Sequence, residues 1–319
     1  MRRVVCAPWL QSRSMLAGAL VLLWVMRPGP ALGQRPERIA YQADTSVYTI
    51  HPDGSGARKI RSNAHEPVWR PDGERIMFSK FWGRGGIWSM RSDGSAPRLI
   101  VGPNDSRFGD LHPDEALGGT WSPDGRTVAF TLRASDDDGG GFQEIWSIGV
   151  DGSGLRRLAR GSLPDWSPDG RWIAFTRNGP SNRLSNRVLM MAPDGSHVRV
   201  LLGDDAGYRH SLDFSPDGRR LAFVELAYET NLRTIDIQSG KTTRIPQRRS
   251  ERVFAAAWAP DGERIAFVHH RVVFDPEPRF VGTQAVSTIR PHGRDLRRVF
   301  RLPRTGPRSI DWLSWRPER

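Results

Sequence analysis

The chain has 319 residues, a formal charge of +12, 38% hydrophobic residues and one cysteine. That length buries a core without disulfide support and fits either one large domain or two ordinary ones. Cys6 lies ahead of the globular stretch, which excludes disulfides, cysteine nucleophiles and thiolate metal sites from the folded part.

Residues 1–33 differ from the rest. Arg2, Arg3 and Arg13 precede an apolar run from Met15 to Met26, and small residues follow at Ala31 and Gly33. This is the order of a secretory signal peptide, with cleavage expected before Gln34. The run is short for a bilayer crossing, so residues 34–319 are expected as one exported domain with no membrane span. Cys6 precedes the apolar run, which argues against lipoprotein acylation. The basic excess favours anionic partners; with Lys59, Lys80 and Lys241 the only lysines, it reads equally as an arginine habit. No run of lysines and aromatics forms a nucleic-acid platform, and no nucleic-acid partner is expected.

From residue 68 onward one hairpin is written five times: "VWRPDGERIMFS", "TWSPDGRTVAFT", "DWSPDGRWIAFT", "DFSPDGRRLAFV" and "AWAPDGERIAFV". Proline presets the first turn position, aspartate tolerates the second, and glycine supplies the positive φ that closes the turn. The strand after each turn alternates large, small, large, as in Ile173-Ala174-Phe175, so both of its faces are buried. A second element follows each such strand and ends in its own turn, as in "IWSIGVDGSG", before a short outer strand such as "LRRL". Each unit is thus four antiparallel strands. The aromatics Trp69, Trp121, Trp166, Phe214, Trp258 and Trp315 recur every 44 to 57 residues, the period of a β-propeller blade. Six units predict six blades, with the tryptophans as plates between them. The mature chain opens with three strands, "RIAYQ", "SVYTI" and "ARKI", and ends with an unpaired one, "SIDWLSWRPER". Pairing residues 309–315 with 38–42 closes the ring and removes two open sheet edges.

The W-[SRA]-P-D-G copies followed by large-small-Phe strands resemble the WD-type repeats of TolB-like β-propeller proteins, over nearly the whole mature chain. The resemblance implies an exported or periplasmic six-bladed propeller that binds proteins. The extra N-terminal domain of the family's founding member is not expected here. Prolyl-oligopeptidase-type propellers are excluded by the missing G-x-S-x-G nucleophile elbow.

In such blades the compact P-D-G and D-G-S turns share one rim. Length variation collects on the other, at 80–86, 102–118, 132–143, 177–186, 203–210 and 269–284. Variable loops on a rigid scaffold carry function, so the ligand is expected there, around the channel. His65 and His210 precede their aromatics by four positions in opposed blades; they either bind a ligand or cap strands, with capping favoured. Asp110, His112 and Asp114 alternate in "GDLHPDEA", a donor set for a divalent ion that Pro113 interrupts. "SDDDGGG" at 135–141 lacks the EF-hand spacing. No metal or cofactor is expected. Acidic residues gather on blades two to five, and Arg248, Arg249, Arg252, Arg304 and Arg308 on the opposite side, a polarity suited to orienting a charged segment. Phe274 and Phe280 in the 269–284 stretch either contact a protein or pack on their own blade.

The leading expectation is a monomeric, non-catalytic scaffold that binds an envelope or secreted protein or peptide. The alternatives are a carbohydrate lyase or hydrolase with a channel-mouth active site, and a glycan or polyanion-binding module.

Overall fold

Each repeat folds into four strands because its turns satisfy themselves. In the five P-D-G turns the aspartate carboxylate accepts the backbone N–H two residues on: Asp72 from Glu74, Asp124 from Arg126, Asp169 from Arg171, Asp217 from Arg219 and Asp261 from Glu263, at 2.8–3.0 Å. The following glycines sit at φ 64–72°, in the left-handed region where a side chain is strained. The computed structural model describes residues 37–317 apart from 82–84, 110, 136–140, 180–185, 204–206, 228–229, 249, 275–277 and 303–308; for 112, 272–274 and 278–283 it describes the backbone alone. The expected signal peptide and its cleavage site lie outside the described residues.

The first strands are β1 (Ile39–Ala43), β2 (Ser46–Ile50) and β3 (Arg58–Ser62). Blade two is β4 (His65–Trp69), β5 (Arg75–Lys80), β6 (Gly86–Arg91) and β7 (Arg98–Val101). Blade three is β8 (His112–Trp121), β9 (Thr127–Ser135), β10 (Gly141–Gly149) and β11 (Arg156–Arg160). Blade four is β12 (Ser162–Trp166), β13 (Ile173–Asn178), β14 (Asn186–Met191) and β15 (Arg199–Leu202). Blade five is β16 (Tyr208–Phe214), β17 (Arg220–Leu226), β18 (Thr230–Asp236) and β19 (Thr242–Arg244). Blade six is β20 (Glu251–Trp258), β21 (Ile265–Phe274), β22 (Pro278–Ile289) and β23 (Arg297–Arg301). The last strand, β24 (Ile310–Trp315), completes blade one in the order β24-β1-β2-β3. Its register, Ile39 opposite Trp315 and Gln42 opposite Trp312, is the closure that the sequence predicts.

The core is six apolar clusters, one at each junction between neighbouring blades. The large-small-large pattern explains them. Ala129 of blade three packs toward Ile173 and Phe175 of blade four, and Ala174 packs toward Leu221 and Phe223 of blade five. Each blade thus presents its middle residue, Met77 in blade two and alanine elsewhere, to the next blade and its large pair to the previous one. Phe78, Phe130, Phe175, Phe223 and Phe267 are all at most 1% exposed. At about 25 cal/mol per Å² of apolar surface, these interfaces are the main source of stability.

Two stretches expected as irregular connections are regular. Strand β8 begins at His112, and β21 and β22 extend the blade-six hairpin to Phe274 and from Pro278, with Val272 opposite Phe280. β-branched and aromatic residues in this stretch continue the ladder past the disc rather than looping over it.

Candidate functional site

The innermost strands of blades two to six each carry a register shift, between His65/Val68, Leu117/Gly119, Ser162/Asp165, His210/Asp213 and Val253/Ala255. In four blades the residue three before the landmark aromatic has positive φ: Glu66 at 53°, Gly118 at 47°, Leu163 at 55° and Ser211 at 55°. Left-handed backbone is strained for Glu, Leu and Ser. The strain turns strand polar groups sideways, toward the neighbouring blade.

Two tiers of joints result. In the first, the residue just before the landmark aromatic accepts the N–H of the next blade's aromatic: Ser314 Oγ from Trp69 at 3.2 Å, Thr120 Oγ1 from Trp166 at 3.3 Å, Asp165 Oδ2 from Phe214 at 2.8 Å, and Asp213 Oδ2 from Trp258. In the second, Gln42 accepts from Glu66 N at 2.9 Å, Glu66 from Gly118 N at 2.7 Å, Thr131 from Leu163 N at 3.0 Å and Thr230 from Val253 N at 2.8 Å.

Around the axis these strands leave a narrow cavity of about 50 Å³, to which every blade contributes, through Val68, Gly119, Asp165, Asp213, Ala256 and Ser314. Two carboxyl groups thus face one small space. Burial pushes Asp165 up to about 7, against the hydrogen bonds from Phe214, Thr120 and Trp166. Burial raises Asp213 well above the usual carboxylate range, and the charge of Asp165 raises it further. Each side chain keeps some surface on the cavity, so water reaches the pair while the blades desolvate it. Glu66 is likewise raised by burial.

The histidines stand nearer the hairpin rim, the rim of the variable loops where the second and third strands of each blade join, and neither lines this cavity. His65 opens β4, packs at a tilt on Phe81 at 4.2 Å between ring centroids, and has a buried Nδ1 without a hydrogen-bond partner among the described residues. Burial lowers its pKa, against the attraction of Asp311. Burial alone lowers His210 to about 4. Both imidazoles are therefore neutral at pH 7. Asp114 lies at a bulge of β8, where its Oδ2 accepts from Ser135 Oγ at 2.9 Å. Arg248 is exposed, its carbonyl accepting from Glu251 N at 2.9 Å, and Arg252 sits on β20 opposite His270. Asp110, Arg249, Arg304 and Arg308 lie outside the described residues, as do the side chains of His112, Phe274 and Phe280. Among the described residues no group of three His, Cys, Asp or Glu side chains is placed to hold a metal ion.

Over 99 residues, 31% of this chain, the sequence is 33% identical to the Tol-Pal system protein TolB of Anaeromyxobacter dehalogenans. This six-bladed β-propeller resembles TolB. The matched stretch covers 19% of that relative's length. The fold is similar to TolB from Acinetobacter baumannii, with a TM-score of 0.66 at 18% identity over 88% of this chain and 66% of that one. It is also similar to an oligogalacturonate lyase from Vibrio parahaemolyticus, with a TM-score of 0.57 at 9% identity over 85% and 82% of the two chains. No protein-family model matches the chain.

The TolB-like propeller holds two further polar assemblies that its sequence does not announce. Arg209 of β16 is 2% exposed, and donates to Glu225 Oε1 at 3.3 Å and to the Asn186 carbonyl at 2.6 Å. Arg233 donates to the other Glu225 oxygen at 2.7 Å, and the Asn186 side chain bonds both the N–H and the carbonyl of Arg209. This network ties blade four to blade five near the hairpin rim. In blade six, Ser287 Oγ lies 2.9 Å from His269 Nε2, and His269 Nδ1 lies 3.3 Å from Glu251 Oε1. That is the hydrogen-bond order of a hydrolase triad. Ser287 is 2% exposed and His269 5%, so no substrate carbonyl reaches the hydroxyl, and the trio locks three strands together. The acidic pair at the axis did leave a signal. Asp165 and Asp213 are the only acids among the six residues that precede the landmark aromatics.

Proposed function

We propose that this TolB-like propeller is an exported, periplasmic or secreted scaffold that binds a protein or peptide segment around its channel without catalysing a reaction. The residue 1–33 pattern and the likeness to TolB support export. The observation that carries the binding reading is the pair Asp165 and Asp213. The same blade-to-blade joint is made with uncharged hydroxyls by Ser314 and Thr120. The two carboxyls therefore exceed what the joint requires, and holding them desolvated and side by side costs stability. A basic side chain or amine offered by a bound segment would restore their charge and relieve that cost. His65, Asp110, His112, Asp114, His210, Phe274 and Phe280, with the basic sector of Arg248, Arg249, Arg252, Arg304 and Arg308, are the rim residues proposed to orient the segment.

The test is a pull-down from envelope extract with the mature chain, beside Asp165→Asn/Asp213→Asn and a variant with alanines at Arg248, Arg249, Arg304 and Arg308. The acid-pair variant is expected to lose the partner and the arginine variant to recover less of it. Recovery of the same proteins at the same level by all three would sink the reading. A second reading, a polysaccharide lyase, draws on the fold likeness to oligogalacturonate lyase. Incubation with oligogalacturonate, followed by the ultraviolet absorbance of an unsaturated product, decides it.

A further inference from the structure

A second cleft opens on the hairpin rim, over blades three to five. It encloses about 500 Å³. Its walls bring together Arg133, near the end of β9, Phe142 at the start of β10, Arg160 at the end of β11, Arg177 and Asn178 at the end of β13, and Tyr208 at the start of β16. None of these lines the channel cavity. Three guanidinium groups from three separate strands thus converge on one space.

Their charges are unevenly compensated. Arg133 is paired with Glu115 Oε2 at 3.0 Å. Arg160 lies over the Phe142 ring at 5.6 Å, and among the described residues its guanidinium has no carboxylate partner. Arg177 Nε donates to the Arg160 carbonyl at 2.8 Å, and its group lies over the Phe175 ring at 5.5 Å, which fixes its plane and leaves its terminal nitrogens for another acceptor. Burial lowers the Arg177 pKa, and nearby Arg187 adds to the effect. Two oriented forks opening on one cleft, Arg160 exposed and Arg177 half-buried, repel unless an anion joins them, and a planar carboxylate is the group such forks hold with two parallel hydrogen bonds.

The remaining lining selects among anions. The Asn178 amide and the half-buried Tyr208 hydroxyl border an open cleft in which Phe142 is the one wholly apolar side chain among the described lining residues. Hydroxyl-rich ligands suit such a lining; acyl chains do not. The volume is that of a small-molecule site. We propose that this cleft binds a short acidic oligosaccharide, its carboxylates held by Arg160 and Arg177 and its hydroxyls by Asn178 and Tyr208. The proposal does not rest on the protein-binding reading of the channel.

Calorimetric titration of the full chain tests it with trigalacturonate, its methyl ester and inorganic phosphate as probes. The acid trimer is expected to bind, about tenfold more weakly in Arg160→Gln and in Arg177→Gln, and unchanged in Arg294→Gln, which alters an exposed arginine on the turn rim. Raising the salt weakens binding. The ester, which keeps the shape and loses the charge, is expected to bind at least about tenfold more weakly. Unchanged unfolding temperatures in the two cleft variants show that the site and not the fold was altered. No heat of binding with the acid trimer overturns the proposal. So does an ester that binds as well as the acid, phosphate that binds as tightly as the trimer, or affinity unmoved by both cleft substitutions.

Discussion

The two rims of the disc spend their polar groups differently. On the turn rim each P-D-G or D-G-S aspartate accepts from its own turn, and the copies also interlock. Arg316 Nη2 donates to the Gly73 carbonyl at 2.7 Å and lies over Trp69, while Arg70 Nε donates to the Gly125 carbonyl at 3.1 Å and lies over Trp121. A Cβ at Gly73 would meet Arg316 at 2.7 Å, so the turn glycine also makes room for the clamp. On the hairpin rim and along the channel the joints use carboxylates where hydroxyls suffice, and Arg160 and Arg177 keep donors to spare. Among the described residues the repeated turns bond their own aspartates, whereas Arg160 and Arg177 on the varied rim do not exhaust their donors. Recognition is proposed on the varied rim for this reason.

The largest expected effect abolishes the distinction. Deleting residues 309–319 removes β24, opens the edge of β1 and strips Ile310, Leu313 and Trp315 from the cluster joining blades six and one. Cooperative unfolding is expected to disappear from calorimetric scans. A chain that still melts cooperatively would show that the ring does not depend on its last strand.

Arg209→Ala breaks the hairpin rim alone. It leaves Glu225 buried with one cation and the Asn186 carbonyl unbonded, at a cost of about 3–5 kcal/mol in chemical denaturation. The turn rim should be untouched, with amide exchange at Gly125 and Gly170 unchanged.

The acidic pair predicts a pH signature. Asp165 and Asp213 have folded pKa values above their unfolded ones, so the folded chain holds protons that the unfolded chain has released. Their contribution to stability is present near pH 4 and declines as the pH rises through about 7. His210 acts in the opposite sense. Its folded pKa of about 4 lies below the ordinary imidazole value of 6.5, so its contribution is lost as the pH falls between those values. Denaturation of Asp165→Asn/Asp213→Asn across pH 4–8 is expected to flatten the alkaline decline and leave the acidic one. A variant that keeps the wild-type slope above pH 5 would contradict this assignment.

The smallest effect tests the turn rim by itself. Ser122 Oγ donates to Asp124 and accepts from Thr127 N at 2.9 Å, an arrangement repeated by Ser167 and Ser215, whereas blade six has Ala259 at this place. Ser122→Ala is expected to cost about 1 kcal/mol, and Ala259→Ser to gain a few tenths through a bond from Arg264 N.

The contrast between the rims also marks how far the sequence could be read. Turn chemistry is local, so "PDG" with its large-small-Phe strand specifies hairpin, blade, packing direction and ring closure from short windows. The channel is not local. The N–H of Phe214 is capped by Asp165, which lies a whole blade earlier, and no window of the sequence spans that bond. Leu163 and Ser211 adopt left-handed backbone without the glycine that would announce it. The strands that carry Phe274 and Phe280 looked like a loop because Pro276 and Pro278 interrupt the alternation between them. Arg160 and Arg177 belong to ordinary outer and second strands, and only the ring brings them to one cleft.

The central claim is that recognition belongs to the hairpin rim. A photocrosslinking residue placed at Leu226, exposed at the end of β17, or at Val198, exposed on the turn rim, measures this directly in envelope extract. Adducts from position 226 that vanish in Asp165→Asn/Asp213→Asn, with none from position 198, are the predicted result. Adducts from position 198 with none from position 226 would place the partner on the turn rim and contradict the account.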